Sequence, residues 1–356
     1  MTKSIQAATI KRKDITLADV ARDAKVSLST VSQVINNRPS CWASQETRDR
    51  VIHAAKRLGY RPNLTARALR SGQSNTLGMI TTGIGVGSSH SRFMGLDEAA
   101  VEKGYAVMLS YHPNTFETEN SLIRRHLDRG VDGLFVYPTE PGPHLELQAL
   151  VARNFPVVAF DAEALLDFPI DDVSPDFQEI GRRQASHLLD SGHRRFCIAN
   201  ALPSARINLI REKAACATIT EAGMAAPLFM NLEIAAKKET SSSEKIDGPL
   251  HAFLEAHRGR FDAVITYDLL AALVVRNLLE MGVRVPEDVA VMGAGNSLVA
   301  EYNALPISSI SVQDDLIGRE AFRLFSERAA GIVPAGEFRR IQPPLKMLIR
   351  ASTVKA

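Results

Sequence analysis

At Thr76 the pattern of the chain changes, and that change restricts the fold more than any other feature. From there short apolar runs recur, each followed by a helical repeat. TLGMIT precedes RFMGLDEAAVEKG, AVMLSY precedes TENSLIRRHLDRG, and DGLFVYP precedes a helical stretch near Leu145–Arg153 before PVVAFD. A second series runs FQEIGRRQASHLLDSGH, RFCIAN, a helix at Arg211–Ala222, DAVITYD, a helix at Leu269–Met281 and VAVMGAG. Strands alternating with helices are the signature of βαβ units and parallel sheets. Two series predict two doubly wound parallel-sheet subdomains with a cleft between them.

A chain of 356 residues is long enough for two or three domains with a substantial core. Its 45% apolar and 23% charged composition is that of an ordinary soluble protein. No run approaches 18 apolar residues, so no membrane span is expected. The opening MTKSIQAATIKRKD is polar and basic, without the apolar core of a secretory signal. Cys41, Cys197 and Cys216 are odd in number and widely spaced, which fits reduced thiols in a cytoplasm better than a disulfide framework. No metal or other cofactor is expected.

Charge divides the chain. Residues 1–75 hold 14 Lys+Arg against 5 Asp+Glu, a balance of +9, and the remainder holds 28 against 35, a balance of −7. A basic head on an acidic body points to a polyanionic partner for the head. The competing reading is a solvated basic tail, since Lys11, Arg12 and Lys13 sit in the lead.

Within the head, Thr16 and Asp19 form a capping box, so a helix starts at Leu17. Leu17, Val20, Ala21 and Ala24 make its apolar stripe. Lys25 and Val26 turn the chain and Ser27 caps a second helix, which buries Val31, Val34 and Ile35. Its other face presents Leu28, Ser29, Ser32 and Gln33, with no acid among them. Two short helices joined by a tight turn have helix-turn-helix geometry, whose second helix enters the DNA major groove. A third helix, capped at Ser44 and stopped at Gly59, turns Val51, Ile52, Ala55 and Leu58 inward. Helical hairpins also occur as plain structure; the acid-free face and the local charge favour DNA. Asn63 can cap a further short helix from Leu64 to about Arg70, which would be marginal alone because nucleation is costly.

Here the sequence resembles the lactose-repressor (LacI/GalR) family of bacterial transcriptional regulators. LADVARDAKVSLSTVSQVIN, TRDRVIHAAKRLGYRPN and ARALRSGQS match that family's head and hinge in order and spacing. The resemblance implies that Leu28, Ser29 and Gln33 face base edges, while Ser27, Thr30, Ser32 and Asn36 position the helix against phosphates. It implies that Leu69 is an apolar wedge in the minor groove, with Ala66 packing paired hinge helices and Asn63 and Arg67 nearby. By periodicity alone Leu69 reads as ordinary packing. Gln33 stands where the family commonly has Arg, so a guanine contact becomes an adenine one. Lys25 replaces the usual small turn residue.

The body is similar to periplasmic sugar-binding proteins, the body of the same family, on the landmarks VDGLFVYP, HLLDSGHRRFCIAN, GVRVPEDVAVMG and LPISSISVQDDLIGREAFRLF. The implied organisation is a helix-turn-helix domain over 1–62, a hinge over 63–75 and an effector-binding and dimerisation domain over 76–356. Its first subdomain takes 76–163 and 297–315, its second 164–296 and 316–356. Ligands of such folds sit where strand ends converge, which singles out His90, Phe93, Tyr137, Asp161, Arg211, Tyr267, Asp268 and Asn296. Arg211 occupies the place of the family's effector-gripping arginine; a surface pairing with Glu212 or Glu221 is the alternative. The glycine-rich GIGVGSS lacks G-x-G-x-x-G spacing, so it reads as a cleft loop rather than a phosphate cradle.

Where the family has Asn-Asp after the strand at 263–266, this chain has Tyr267-Asp268; where it has Gly-aromatic-Asp-Asp, this chain has Gly293-Ala294-Gly295-Asn296. Groups that hold sugar hydroxyls are therefore missing, and the expected effector is not a simple hexose but planar, or an anion held by Arg211. An enzyme is disfavoured: there is no nucleophile elbow or zinc spacing, and the nine His are scattered. His187 and His193 read as a packed ring and a cap. A solute-binding protein would need export, against which the basic head argues. The chain thus reads as a cytoplasmic regulator, a repressor, binding a double-stranded palindromic operator as a homodimer under a small-molecule effector acting as inducer or corepressor.

Overall fold

The structure, a computed structural model, describes residues 15–36, 41–61, 72–82, 88–139, 142–200, 206–232 and 243–354. The chain divides into two compact units, one ending at Ser74 and the other beginning at Asn75.

The first unit is a three-helix core: α1 Leu17–Ala24, α2 Leu28–Ile35 and α3 Gln45–Leu58. Thr16 caps α1 in a reciprocal box with Asp19, and Ser27 and Ser44 accept first-turn N–H groups of α2 and α3. Val20, Val31, Val34, Val51, Ala54 and Ala55 meet in the centre. Ile52, which the apolar spacing places inward, is 41% exposed, because the buried stripe of α3 runs through Val51, Ala54 and Ala55. Lys25 closes α1 in the left-handed region (φ 53°), which explains why a small residue is the easier choice there.

The second unit runs β1 Thr76–Thr81, α4 Ser88–Glu102, β2 Ala106–Tyr111, α5 Phe116–Asp128, β3 Gly133–Val136, α6 Leu145–Ala152, β4 Val157–Phe160, α7 Ala162–Leu165 and β5 Asp171–Val173. It continues through α8 Phe177–Asp190, β6 Phe196–Asn200, α9 Arg206–Glu221, β7 Leu228–Asn231, α10 Ser243–Ala256, β8 Ala263–Ile265, α11 Asp268–Glu280, β9 Ala290–Ala294, α12 Leu298–Glu301 and β10 Ser308–Ser311. It closes with α13 Asp314–Ala329, β11 Arg340–Ile341 and β12 Lys346–Leu348. One sheet has the order β2-β1-β3-β4-β5-β11 and the other β7-β6-β8-β9-β10-β12. Among the described residues all strand pairs are parallel except β10 with β12. Both sheets thus share the 2-1-3-4-5 order of doubly wound folds, which places a ligand crevice at the carboxyl ends of the strands.

The expected subdomain boundaries need correction. β5 extends the first sheet, so 164–173 belongs with the first subdomain. β10 pairs with β9 in the second sheet, in the register Ser309↔Gly293. α13 leaves it to cover the first sheet, lying along α4. Glycine makes that crossing close: a Cβ on Gly318 would stand 2.0 Å from the Arg92 carbonyl oxygen, and one on Gly95 2.0 Å from that of Asp315. Likewise a Cβ on Gly181 of α8 would meet the Arg211 carbonyl oxygen at 2.1 Å. The chain therefore passes between subdomains near 174–176, 312–313 and 342–345. One large apolar cluster, including Met79, Phe135, Phe325, Ile180, Phe196 and Met292, draws on both subdomains.

Candidate DNA-reading face and effector cleft

On α2 the polar side chains divide by what they already bond. The Ser27 hydroxyl accepts the Thr30 N–H at 3.1 Å and shares a 2.8 Å hydrogen bond with the Thr30 hydroxyl. Asn36 folds back, its amide donating to the Ser32 carbonyl at 2.6 Å. Leu28 is 52% exposed, Ser29 is exposed and Gln33 half-buried, and none of the three makes a side-chain hydrogen bond among the described residues. Leu28, Ser29 and Gln33 thus remain open for an outside partner, while Ser27, Thr30, Ser32 and Asn36 hold the helix together. Asn63, Ala66, Arg67 and Leu69 lie outside the described residues, as do 83–87 of the glycine-rich stretch.

In the body a cavity of about 800 Å³ opens where strand ends of the two subdomains converge. Its walls include His90, Tyr137, Asp161, Arg211, Tyr267, Asp268 and Asn296, all singled out from sequence. Phe93 is not among them. One residue along a helix is a turn of about 100°, and that turns Phe93 into the core and its neighbour Arg92 into the cleft. Sequence reasoning missed Arg92 and Asp314, whose only signal is a lone Arg in an otherwise ordinary amphipathic stretch and a distant acid at a helix start.

These two anchor the polar floor of the first subdomain. Arg92 Nε donates to Asp314 at 2.7 Å, and its Nη1 donates to both oxygens of Asp161 at 3.1 Å and to the Tyr137 hydroxyl at 2.7 Å. Tyr137 in turn donates a short hydrogen bond to Asp161. Burial opposes the Arg92 charge, but Asp161, Tyr137 and Asp314 together hold its pKa well above the usual value. Asp161 adopts φ 60°, and Asn296 and Gln313 are also left-handed, so unusual backbone gathers at this cleft.

In the second subdomain, Asp268 accepts the Ser309 hydroxyl at 2.7 Å and the Ser297 N–H at 2.6 Å. Burial raises its pKa, and those hydrogen bonds act against the rise. Asn296 accepts from Arg350 at 2.7 Å. Arg211 Nη2 donates to Asn208 at 2.8 Å, while its Nε is buried with no hydrogen-bond partner among the described residues. Burial lowers its pKa, partly offset by Tyr267, Glu212 and Asp268. No ion pair with Glu212 or Glu221 forms among the described residues. The described residues offer no group of three or more His, Cys, Asp or Glu able to hold a metal ion, and no helix among them is long and apolar enough to cross a membrane.

Behind the cleft, Asp172 accepts the Ala162 N–H at 3.0 Å and the Ser174 hydroxyl at 2.6 Å, with Arg340 at 3.4 Å. Burial pushes its carboxyl up to about 6, from 3.8. The folded chain then binds more protons than the unfolded one between those values, so this group's contribution to stability falls as pH rises through that window. Asp172→Asn is expected to be more stable than the parent at pH 7.5, by about 2 kcal/mol, with the difference closing near pH 4. Urea unfolding midpoints at both pH values check this; a variant less stable at pH 7.5 would show that the charge is favourable there.

A helix-turn-helix head joined to a two-subdomain body with a ligand cleft defines a DNA-binding transcriptional regulator. Residues 16–63 match the family described as "Bacterial regulatory proteins, lacI family", and 185–353 match "Periplasmic binding protein-like domain". The chain thus carries a LacI-family helix-turn-helix domain and a periplasmic-binding-protein-like domain. The HTH-type transcriptional repressor PurR of Vibrio vulnificus is 26% identical over 322 residues, 88% of this chain and 91% of that protein. The HTH-type transcriptional regulator pepR1 of Lactobacillus delbrueckii subsp. lactis is 28% identical over 324 residues, 89% and 92% of the two chains. Among solved structures, the Lac repressor dimer bound to operator and the anti-inducer ONPF superposes with a TM-score of 0.81 at 22% identity, covering 96% of this chain and 100% of that one. The relatives are regulators of transcription, not enzymes.

Proposed function

We propose that this chain is a cytoplasmic repressor that binds a pseudo-palindromic operator as a homodimer and answers to a small molecule in the inter-subdomain cleft. The observation that carries the reading is the open, acid-free face of Leu28, Ser29 and Gln33 on a capped α2 in the basic head. The homodimer is supported by apolar side chains left exposed on α4 and the edge strand β2: Met94 at 42%, Val101 at 61%, Leu109 at 36% and Tyr111 at 50%. An isologous pair of bodies carries two heads to two half-sites. Effector binding changes the angle between subdomains, which cross at 174–176, 312–313 and 342–345. That change biases the hinge over 63–75, so effector and operator are coupled through their differential affinities.

The experiment is selection of bound duplexes from a random library by the full chain and by Gln33→Ala. The parent should enrich a two-fold symmetric site. The variant should lose preference at one base pair per half-site, by about tenfold, the worth of one bidentate base contact. No enrichment by the parent would sink the regulator reading, and an unchanged profile for the variant would remove Gln33 from base readout.

A further inference from the structure

We infer that the cleft takes a monoanionic organic acid with an apolar body, its carboxylate gripped by Arg211, and not a polyol. The inference rests on the reading of the cleft as the effector site and names the chemistry of its ligand.

The carboxylates and the amide oxygen that could accept from hydroxyls are already engaged, although the Ser297 hydroxyl in the same wall is buried without a partner among the described residues. Asp161 already accepts from Arg92 and Tyr137, Asp314 from Arg92, Asp268 from Ser309 and Ser297, and Asn296 from Arg350. A polyol needs free donors and acceptors for each hydroxyl, because each one left unpaired in a closed site loses the hydrogen bonds it had with water. Arg211 differs from all of them. Its guanidinium has one neutral hydrogen bond, to Asn208, an unpartnered buried Nε, and no ion pair among the described residues. Glu212 and Asp268 act on it through space only, and neither forms a hydrogen bond or ion pair with it among the described residues. A half-buried cation with no ion-paired acid gains when an anion arrives, and a guanidinium fork matches a carboxylate with two parallel hydrogen bonds.

Much of the remaining wall is apolar. Phe177, Ile180, Ile207, Leu269, Leu298 and Val312 line the cavity. Leu269 and Leu298 are 54% and 58% exposed, so the open cleft holds apolar surface that a ligand's body would cover. Charge count favours a single negative charge. Arg92 is outnumbered by its two carboxylates, Asp161 and Asp314, leaving Arg211 as the one cation among the described cleft residues open to an anion. A phosphate dianion would bring a second negative charge beside those carboxylates.

The test is calorimetric titration of the full-length protein with cinnamate and indole-3-acetate, their primary amides, phenyl phosphate, glucose and cellobiose. At least one acid should bind about tenfold or more tightly than its own amide and than either sugar, the worth of a charge-assisted hydrogen bond. Arg211→Gln should erase the preference of acid over amide. Arg211→Lys, which keeps the charge without the fork, should retain part of it. An amide equal to its acid, a sugar or phenyl phosphate tighter than both acids, or no binding by either acid overturns the inference. The parent comparison alone decides if neither variant folds. Operator affinity measured with each ligand separates the two readings. A sugar that binds and shifts operator affinity overturns the ligand class but leaves the regulator; an acid that binds without shifting it does the reverse.

Discussion

Arg92→Leu is expected to cost the body about 3–5 kcal/mol of stability, the usual loss when one partner of a buried ion pair is removed. Arg92, Asp161 and Asp314 are 2%, 1% and 7% exposed, and the tyrosine that completes the group is itself engaged with both Arg92 and Asp161. Leucine fills much of the volume of the arginine stem but leaves two carboxylates facing each other across an apolar gap. The cost then comes from the orphaned acids rather than from lost attraction, because the desolvation penalty of burying the ions offsets most of the Coulomb gain. That origin is testable. Arg92→Leu combined with Asp161→Asn and Asp314→Asn removes the buried charge altogether, and should recover more than half of the loss in urea unfolding midpoints. A single variant within about 1 kcal/mol of the parent would mean that water reaches the site and that the network is not sealed.

The strands that frame this site are legible in the sequence because buried parallel strands leave short uninterrupted apolar runs, as in GLFV and VVAF. Capped ends are equally legible: Thr16, Ser27, Ser44 and Gly59 act where their side chains or backbone freedom predict. Which sheet a strand joins is not. β10 and α13 follow one another within three residues, yet lie in different subdomains, and contacts far apart in sequence, such as those at Gly95 and Gly318 and the Arg92–Asp314 pair, fix α13 on α4. The same limit shifts the cleft wall by one residue. Strand-end reasoning reaches the start of α4 but cannot fix the helix phase, so it points to Phe93 where Arg92 stands. Ile52 fails for the same reason, one position beyond the buried Val51. Asp268 and Asn296 illustrate a different gap. Their places at the cavity follow from topology, but that their acceptors are already occupied by Ser309, Ser297 and Arg350 follows from contacts far apart in sequence.

Operator affinity should fall about a thousandfold to ten-thousandfold when monovalent salt rises from about 50 to about 200 mM, while ligand binding in the cleft changes much less. Charge pairing in the head sets this size. Arg22 and Arg57 are tied to Asp19 and Asp23, and Arg48 is spent on the Cys41 and Ala43 carbonyls at 2.7 and 3.1 Å. Lys25, Arg50, Lys56 and Arg61 are exposed and pair with no acid among the described residues. The proposed dimer would bring eight such cations to one operator, and each phosphate neutralised contributes about −0.9 to the slope of log affinity against log salt. A slope of about −5 to −7 is therefore expected if most of them reach phosphates, read by fluorescence anisotropy of labelled operator. The cleft responds less, because a ligand there meets the single half-buried cation Arg211 rather than a row of exposed ones. A slope shallower than about −2 would mean that these cations face away from DNA, and that affinity comes from base contacts on α2 rather than from the basic head.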